Sequence, residues 1–522
     1  MPTEKDGASV GTLASICDEV RTTLGPLGAN KLVVQEDGTV QTTSSGSLVL
    51  EKLDLTNPTF TLLQSAASEF RSQEGDGTAT LVTVLGELLA EADDLAEQGL
   101  HPTTIARGYR DALTIATEEL QRRAYPVSAV GLEAVARTAL TGTRDPAVQT
   151  DVAKYIAHAA ETVGRETTTA SDRQQIKVVS RIGGAQSQTE LVGGVVLDAG
   201  PVTETMPRTL DGAGIAVLSA TVDVPSLDVD SQGVQVGSFE DRVTIGNQER
   251  EAFHEQLDAA VEAGCDCIVT AGAVNDRVEQ LLANRGILAL DHVDEADLSR
   301  IARATGAHVV PGLTEFDETA QGAGDIRVRR TAGRDMTAIE SDAGDPVFTV
   351  FCRAPDPRSV ETFRRSVESA VAATLSAQQC GTVVPGGGAV ETSVAHAVRE
   401  SARSVDARSQ LATQAFADAL LAVPRTLATN AGMDGHTALA RLHVAHADGR
   451  DVWGVDAAQA AVEDVTDGDA IVEPTALKQA LLNTATDAAI ELVRIDAQVA
   501  ATDLNPDDGP NSNRAEKADS GR

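Results

Sequence analysis

The segment Gly75-Asp76-Gly77-Thr78-Ala79-Thr80 contains the residue types that bind a phosphate and a magnesium ion. Its two glycines let the backbone approach an anion, and its aspartate offers the carboxylate oxygens that Mg²⁺ prefers. The apolar run at 81–85 predicts a helix whose N-terminus presents free N–H groups and the positive end of a dipole. The segment therefore predicts a phosphate site, although an acidic glycine turn before a helix can also be a turn and nothing more.

Three other glycine-rich turns lie far from this segment. They are Thr23-Leu24-Gly25-Pro26-Leu27-Gly28, Val383-Val384-Pro385-Gly386-Gly387-Gly388-Ala389 and Asn430-Ala431-Gly432-Met433-Asp434. The second opens a predicted helix and the third closes one, and each alone can be a simple turn. The chain has no Gly-Lys dipeptide, which excludes a P-loop as the phosphate site.

Helical patterns at both ends of the chain must position these turns. The apolar spacing predicts helices over 8–24, over 59–123 with a new start at His101-Pro102, and over 359–380, 389–403, 407–430 and 474–500. Short strands are predicted at Lys31–Val34 and 39–43, joined by a turn at Asp37-Gly38. The residues after Asn505 are rich in Asn, Asp, Gly, Pro and Ser, which predicts a disordered tail.

The middle of the chain alternates between strands and helices. Apolar strands are predicted at 195–197, 215–218, 267–270, 287–290 and 308–310, with helices near 250–263, 275–285 and 294–304. This alternation predicts an α/β domain of about 150 residues. Because helical regions flank it, we expect the two chain ends to pair and carry the middle outward as an insertion, in a multi-domain α+β protein.

The charge of the chain limits its partners and its environment. The 522 residues include 78 acidic and 42 basic ones, for a net charge of −36, and only seven of the basic residues are lysine. Such a surface is typical of a protein that works in high salt, where the Debye length falls to about 3 Å at 1 M and self-repulsion is screened. An ordinary acidic protein is the alternative. Nucleic acid is not expected as a partner, because phosphate contacts need clustered Lys and Arg.

The cysteines and the N-terminal residues favour a cytoplasmic protein. The five cysteines are scattered, and the CxC pair of Cys265 and Cys267 has no second pair to complete a zinc site. Free thiols in a reducing cytosol are therefore expected. The first residues do not form a signal-peptide pattern, and no apolar run of about 18 residues exists, so no membrane span is expected.

In their order and separation, these motifs resemble the group II chaperonins, the archaeal thermosome and its eukaryotic cytosolic relatives. The resemblance covers nearly the whole chain and rests on segments 21–26, 75–80, 101–102, 140–142, 183–184, 303–307, 385–388, 416–420, 430–432 and 494–496.

The resemblance implies the chaperonin fold. A helical equatorial domain would comprise 1–130 and 386–504, followed by a tail at 505–522. An intermediate domain would comprise 131–194 and 352–385, and an α/β apical domain would comprise 195–351. A lid protrusion built into the apical domain is implied at about 236–259, with Val243, Ile245 and Phe253 as its main apolar residues.

The resemblance also implies a nucleotide-dependent folding machine. Subunits of the family stack in two back-to-back rings, ATP drives closure of the lid, and unfolded proteins are the clients. Other chaperonin subunits are the implied partners, in a homo-oligomeric or a mixed ring. Asp76 would hold Mg²⁺. The residues implied at the nucleotide are Leu24, Gly25 and Pro26 at its border, Gly77, Thr78, Ala79 and Thr80 around the phosphates, Gly387 at the base or ribose, and Glu473 at the ribose hydroxyls.

The sequence departs from the family pattern where ATP hydrolysis needs a carboxylate to activate water. Ser45, in the turn Ser44-Ser45-Gly46, stands in place of one aspartate, and Ser369 stands in place of another on the intermediate-domain helix. A serine cannot act as a base near neutral pH. Glu368 is adjacent to Ser369, but one helical step rotates a side chain by about 100°, and rescue by Glu368 is the alternative. Further departures are Leu27, Thr143 and Ser180 for usual lysines, and Ala354-Pro355 for a Gly-Gly hinge.

Three functions stay open on this sequence. The chain is an ATP-driven foldase subunit, or a non-hydrolysing structural subunit of a mixed ring, or a nucleotide-independent holdase that uses its apical surface. The two serines favour binding of Mg-ATP without hydrolysis by this chain. We therefore predict a divergent group II chaperonin subunit from a salt-loving archaeon.

Overall fold

Helices dominate both ends of the chain, and a mixed sheet occupies its middle. The computed structural model describes residues 10–34, 40–43, 45–53, 58–143, 145–166, 172–224, 239–404 and 407–495. The predicted turn at Asp37-Gly38, the residue Ser44 and the predicted tail after Asn505 lie outside these residues.

The N-terminal helices pack closely against one another. The elements are α1 (Val10–Arg21), β1 (Lys31–Val34), β2 (Val40–Thr43), α2 (Gly46–Lys52), α3 (Pro58–Glu74), α4 (Thr78–Glu97) and α5 (Pro102–Arg123). Helices α1 and α4 meet at Gly86, where a Cβ would lie 2.3 Å from the Cβ of Cys17. The hydroxyl of Tyr109 in α5 donates to the Leu88 carbonyl at 2.6 Å, which joins α5 to α4.

A small mixed region precedes the large sheet. Its elements are β3 (Tyr125–Pro126), α6 (Leu132–Ala139), α7 (Pro146–Glu166), α8 (Asp172–Gln175), β4 (Ile176–Ile182) and β5 (Glu190–Val192). The elements of the large sheet follow: β6 (Gly194–Leu197), β7 (Thr209–Leu218), α9 (Phe239–Glu262), β8 (Cys267–Thr270), α10 (Asp276–Asn284), β9 (Leu288–Leu290), α11 (Glu295–Thr305), β10 (Val309–Val310), β11 (Gly322–Thr331) and β12 (Arg334–Glu340).

The large sheet is parallel on one side and antiparallel on the other. Its order is β6-β12-β11-β7-β8-β9, with β10 beside β7. Strands β8 and β10 run parallel to β7, and β9 runs parallel to β8. Strands β11 and β12 are antiparallel to their neighbours. Strands β8 and β9 are fully buried, which explains why they read as apolar runs in the sequence.

The C-terminal part returns to helices. Its elements are β13 (Phe348–Ala354), α12 (Pro357–Cys380), β14 (Thr382–Pro385), α13 (Ala389–Ala402), α14 (Ser409–Leu420), α15 (Ala422–Asn430), α16 (Gly435–Ala447), β15 (Trp453–Asp456), β16 (Ala461–Asp464), β17 (Val472–Pro474) and α17 (Thr475–Val493). Phe416 of α14 packs edge-on against Tyr109 of α5, with ring centroids 6.0 Å apart.

The described residues form three large hydrophobic clusters. The first joins α1, α3, α4 and α5 to α13, α14 and α17, so helices of both chain ends share one core. The second surrounds the large sheet. The third packs α6 and α7 against α12, β4 and β13. The long helix α12 belongs to the third cluster and also contacts α3 and α17, so it connects that cluster to the site described below.

The structure confirms most of the predicted elements and corrects some. The predicted strands at 195–197, 215–218, 267–270, 287–290 and 308–310, and the helices between them, are present. The segment 407–430 is two helices, α14 and α15, where one was predicted. The hairpins β11–β12 and β15–β16 and the helix α16 were not predicted.

One apolar residue of the predicted protrusion belongs to the core. Phe253 is only 1% exposed and packs in the second cluster from within α9. The side chains of Val243 and Ile245 and the residues 236–238 lie outside the described residues. Phe253 therefore contributes to the core around the large sheet.

The cysteines are free, as the sequence predicts. Cys17, Cys265, Cys267 and Cys352 are buried, and Cys380 is partly buried. Burial raises the pKa of Cys17 and of Cys265 to about 12, which keeps these thiols protonated and unreactive. Within the part of the chain that the structure describes, no helix is long and apolar enough to cross a membrane.

Candidate functional site

The segment 75–80 forms a turn and the first residues of α4. Gly75 and Gly77 have φ angles of +78° and +79°, a left-handed backbone that glycine adopts without strain. Gly77 is the N-cap of α4 and supplies no side-chain hydrogen bond. The hydroxyl of Thr78 is buried and has no hydrogen-bond partner among the described residues. Free N–H groups, a helix dipole and an unpaired hydroxyl thus meet where an anion would be stabilised.

Helix α12 holds this turn from the other side. Ser369 donates from Oγ to the Gly75 carbonyl at 3.2 Å, and a Cβ at position 75 would lie 2.5 Å from the Cβ of Ala372. The Gly75 N–H donates to the Arg71 carbonyl at 2.8 Å at the end of α3. The turn is therefore fixed between α3, α4 and α12, and glycine is the residue that fits at position 75.

Asp76 supplies the carboxylate of the turn. Burial raises the pKa of Asp76, and the Gly77 N–H, the charges of Arg71 and Lys478 and the Ser369 hydroxyl oppose this rise. The described residues contain no group of three His, Cys, Asp or Glu side chains that could hold a metal by themselves. A single carboxylate beside an anion site suits Mg²⁺, which usually takes one or two carboxylates together with phosphate oxygens. The residues present therefore fit a magnesium–phosphate group.

The turn that contains Leu24 lies beside the start of α4. Gly46 lies between this turn and the first residues of α4, because a Cβ at position 46 would lie 2.9 Å from Thr23 Oγ1 and 3.3 Å from the Cβ of Ala79. Asn430 of α15 donates from Nδ2 to the Leu24 carbonyl at 2.8 Å. The Leu24 side chain is buried in the first cluster, so Leu24 can border a ligand only through its backbone.

Gly25 and Pro26 complete this border. A Cβ at position 25 would lie 2.6 Å from Leu427 Cδ2 of α15, and the Gly28 N–H donates to the Gly25 carbonyl at 3.1 Å. Pro26 is exposed. Helix α15 thus fixes the turn, and Pro26 is the one of these three residues that lies open to solvent.

Gly387 and Glu473 lie on neighbouring strand ends. The Gly387 carbonyl accepts a hydrogen bond from the Val455 N–H at 2.8 Å, and a Cβ at position 387 would lie 2.6 Å from the Val455 carbonyl oxygen. Strand β17 pairs with β14 so that Glu473 is opposite Val384. A Cβ on Gly386 would lie 3.2 Å from Glu473 Oε1. The Glu473 side chain therefore borders the turn that contains Gly387.

A buried lysine, Lys478 of α17, connects Glu473 to the rest of the site. Its Nζ lies 2.8 Å from Glu473 Oε2 and also pairs with Glu391 of α13. Burial raises the pKa of Glu473, while Lys478 opposes the rise. Burial alone would lower the pKa of Lys478, but Glu391 and Glu473 raise it. Because the charge of Lys478 also acts on Asp76, the Glu473 side of the site and the turn at 75–77 are electrostatically linked.

The two serines at the expected aspartate positions have structural hydrogen bonds. Ser45 caps α2, where its hydroxyl accepts from the Leu48 N–H and lies 2.9 Å from Ser47 Oγ. Ser369 donates to the turn, as described above. Glu368, the neighbour that could replace a missing carboxylate, is paired with Arg364 on the same helix. A free carboxylate at the position of Ser369 is therefore absent, and the nearest one on α12 is already engaged by a cation.

The structure brings together most of the residues that the sequence selected. Asp76, Ser369 and the Gly75–Thr80 backbone form one centre. Gly46, which follows Ser45, lies against Ala79 of this centre and beside Thr23, the neighbour of Leu24. Glu473 is linked to the centre by the charge of Lys478, which acts on Asp76. Sequence reasoning missed Arg71, Glu391 and Lys478. The only sequence signal for Arg71 and Lys478 is their spacing, since one lies a helical turn before Gly75 and the other lies in the first turns of a helix after Glu473.

Comparison with known proteins places this architecture in a family. The model of the TCP-1/cpn60 chaperonin family matches residues 16–503. The chain is 34% identical over 496 residues to a thermosome subunit of Methanopyrus kandleri, which covers 94% of this chain and 91% of that protein. It is 35% identical over 495 residues to thermosome subunit 3 of Haloferax volcanii, at 93% and 94% coverage, and 35% identical over 494 residues to thermosome subunit alpha of Halobacterium salinarum, at 94% and 87% coverage.

Proposed function

The chain belongs to the TCP-1/cpn60 chaperonin family and is a group II chaperonin subunit that assists protein folding, and from this premise we propose that it binds Mg-ATP and hydrolyses it slowly or not at all. One observation carries the binding part. The uncapped N-terminus of α4 meets the unpaired Thr78 hydroxyl and the desolvated Asp76 carboxylate at a glycine turn. These groups are the ones that a magnesium-bound phosphate chain needs.

Each residue of the site has one role in this proposal. Asp76 holds Mg²⁺, and the backbone of Gly77, Thr78, Ala79 and Thr80 surrounds the phosphates. Leu24, Gly25 and Pro26 border the nucleotide, Gly387 faces its base or ribose, and Glu473 Oε1 accepts from the ribose hydroxyls, because Oε2 is bound to Lys478. When bound, the metal ion would neutralise phosphate charge and orient the phosphate chain.

The hydrolysis part of the proposal rests on Ser45 and Ser369. A general base contributes typically 10²–10⁴-fold to a rate, and both hydroxyls are engaged in hydrogen bonds to their own surroundings. A non-hydrolysing subunit of a mixed ring is therefore favoured over an ATP-driven foldase for the isolated chain. A nucleotide-independent holdase is the remaining alternative, and ATP binding would count against it.

The remaining organisation is proposed from the family and from the three hydrophobic clusters. The first cluster supports an equatorial domain of 1–130 and 386–504, the second supports an apical domain of 195–351, and the third supports an intermediate domain of 131–194 and 352–385. We expect a cytoplasmic double ring that contains other chaperonin subunits and encloses unfolded clients. The net charge of −36 supports work in a salt-rich cytoplasm.

Calorimetry and a turnover assay test this function on the purified chain in molar KCl. Wild-type protein is expected to bind Mg-ATP, and Asp76→Ala is expected to weaken that binding at least about tenfold, since a metal ligand is lost. Steady-state turnover by the wild type is expected to be at least about 100-fold below that of a chaperonin that has both aspartates. Comparable turnover that Asp76→Ala abolishes would contradict the hydrolysis part, and absence of Mg-ATP binding would contradict the whole proposal.

A further inference from the structure

We propose that Arg71, at the C-terminal end of α3, binds the terminal phosphate of the nucleotide and makes the site prefer a triphosphate to a diphosphate. This inference rests on the nucleotide site proposed above and adds a residue to it. Three features carry it: the position of Arg71 beside the glycine turn, the lack of an ion pair to its guanidinium within the described part of the chain, and the two groups of charges that act on Asp76.

The backbone fixes Arg71 next to the phosphate turn. Its carbonyl accepts the Gly75 N–H at 2.8 Å, so Arg71 lies one helical turn before the loop that carries Asp76. On the opposite side, Ser369 donates to the Gly75 carbonyl. Arg71 is partly buried, and its helix α3 contacts α12. Its position is therefore set by the same hydrogen bonds that shape the turn.

The guanidinium of Arg71 has no ion pair or hydrogen bond among the described residues. Its cationic neighbours on α12 differ in this respect, because Arg364 pairs with Glu361 and Glu368, and Arg365 Nε lies 2.8 Å from Glu361 Oε1. Burial lowers the pKa of Arg71 and the charge of Arg365 lowers it further, while the charges of Glu368 and Asp76 oppose this change. A partly buried cation without an ion pair is unfavourable, and in a chain with 78 acidic residues this arrangement suits the binding of an anion.

Two separate groups of charges act on Asp76. Glu473 interacts with Lys478, Glu391 and Asp76, whereas Arg71 interacts with the α12 cluster and Asp76. Asp76 is thus common to both groups. If the ribose lies at Glu473 and the metal at Asp76, the phosphate chain continues toward Arg71.

A guanidinium suits this position better than an ammonium would. Its planar fork can donate two parallel hydrogen bonds to a phosphate group, which strengthens the contact and fixes its geometry. The contact would exist with ATP and would be lost with ADP, because only ATP has a phosphate that extends past the metal. The proposal therefore predicts discrimination between the two nucleotides as well as affinity.

Isothermal calorimetry of the full chain with Mg-ATP and with Mg-ADP, in molar KCl, tests this inference. Arg71→Gln is expected to weaken ATP binding about tenfold or more while ADP binding changes less than about twofold, since a hydrogen-bonded charge contact to the terminal phosphate is lost. Arg71→Lys, which keeps the charge without the fork, is expected to give an intermediate ATP affinity. Arg110→Gln, at an exposed position of α5, removes the same charge far from the turn and is expected to change neither affinity.

The outcomes separate the inference from the nucleotide site. If the wild type binds ATP and Arg71→Gln keeps the wild-type ratio of ATP to ADP affinity, the inference is wrong and the nucleotide site stands. If the wild type binds neither nucleotide, both are wrong. Thermal unfolding without nucleotide is the folding control, and should Arg71→Gln fail to fold, Arg71→Lys carries the test: an unchanged ATP to ADP ratio in that variant overturns the inference.

Discussion

At the scale of single residues, the desolvated Asp76 carboxylate predicts a pH-dependent stability. Because burial raises its pKa in the folded state, the folded chain binds more protons than the unfolded chain between the two pKa values. The contribution of Asp76 to stability is therefore largest below its unfolded pKa and falls as the pH rises through its folded pKa. Asp76→Asn cannot ionise and so avoids this decrease in stability. We therefore expect Asp76→Asn to have a higher melting temperature than the wild type at pH 7 without metal.

The same variant is expected to lose the stabilisation by Mg-ATP. Melting curves with and without Mg-ATP, recorded from pH 4 upward for Asp76→Asn and wild type, test both effects. If Mg-ATP raises the melting temperature of Asp76→Asn as much as it raises that of the wild type, the assignment of Asp76 as the metal ligand is wrong. A variant that is less stable than wild type at pH 7 without metal would contradict the burial argument.

Restoring the two carboxylates is expected to restore turnover. Ser45→Asp keeps a good N-cap for α2, because Asp caps a helix as well as Ser does, and Ser369→Asp places a carboxylate next to the phosphate turn. The double variant is expected to hydrolyse Mg-ATP about 100-fold faster than wild type, the usual size of a general-base contribution.

The matched control is Ser47→Asp, which adds one carboxylate two residues away from the cap. It is expected to leave turnover unchanged. A double variant that binds Mg-ATP and stays as slow as wild type would show that some other part of the chain limits hydrolysis.

At the scale of elements, the ion pair of Glu391 and Lys478 joins α13 to α17 inside the first cluster. Their side chains are 6% and 4% exposed. Lys478→Met leaves a buried carboxylate without its cation and is expected to destabilise the chain by about 3–5 kcal/mol. The double variant Lys478→Met with Glu391→Gln is expected to recover most of the lost stability, because the buried carboxylate is then removed. The other partner of Lys478, Glu473, is more exposed and can be hydrated.

Chemical denaturation measures these free energies of unfolding. Lys31→Met is the control, because its partner Glu19 is exposed and such a pair contributes about 0–1 kcal/mol. Equal losses for Lys478→Met and Lys31→Met would contradict the account of the buried pair.

Local signals explain which elements the sequence predicts. The helix predicted to start at His101-Pro102 is present, and the structure shows Pro102 in its first turn and His101 as its N-cap. The β11–β12 hairpin turns at Ala332-Gly333, where both residues have positive φ. Such a turn favours Asn-Gly or Asp-Gly, and alanine at its first position gives no signal. The break between α14 and α15 lies at Leu421, three residues before Pro424. Proline has no N–H to donate to the carbonyl four residues earlier, here that of Leu420. Pro424 was therefore the sequence signal for this break, and the prediction of one helix from apolar periodicity did not use it.

At the scale of the whole molecule, the site joins segments that are hundreds of residues apart. The sequence could predict the phosphate turn from its own glycines, aspartate and helix start. It could not predict that Lys478 links Glu473 to Asp76, or that the Arg71 guanidinium makes no ion pair with any residue that the structure describes, because these properties depend on which side chains meet after folding. Only the family resemblance related the distant glycine turns to one another before their contacts were known.

The net charge of −36 predicts that the folded chain is more stable in concentrated salt. Self-repulsion among acidic side chains opposes the compact state, and it is screened as the Debye length falls from about 8 Å near 0.15 M to about 3 Å at 1 M. We therefore expect the melting temperature to rise steadily between about 0.2 M and about 2 M KCl.

Buried and exposed charges should respond differently to this salt. The pair of Glu391 and Lys478 is shielded from solvent, and buried pairs are screened much less than surface charges. The loss of stability caused by Lys478→Met is therefore expected to be the same at both ends of the KCl range, while the wild-type melting temperature changes. A melting temperature that is independent of KCl would exclude surface repulsion as a determinant of stability. A Lys478→Met penalty that shrinks with salt would place that pair in contact with solvent, contrary to its burial in the core that both chain ends share.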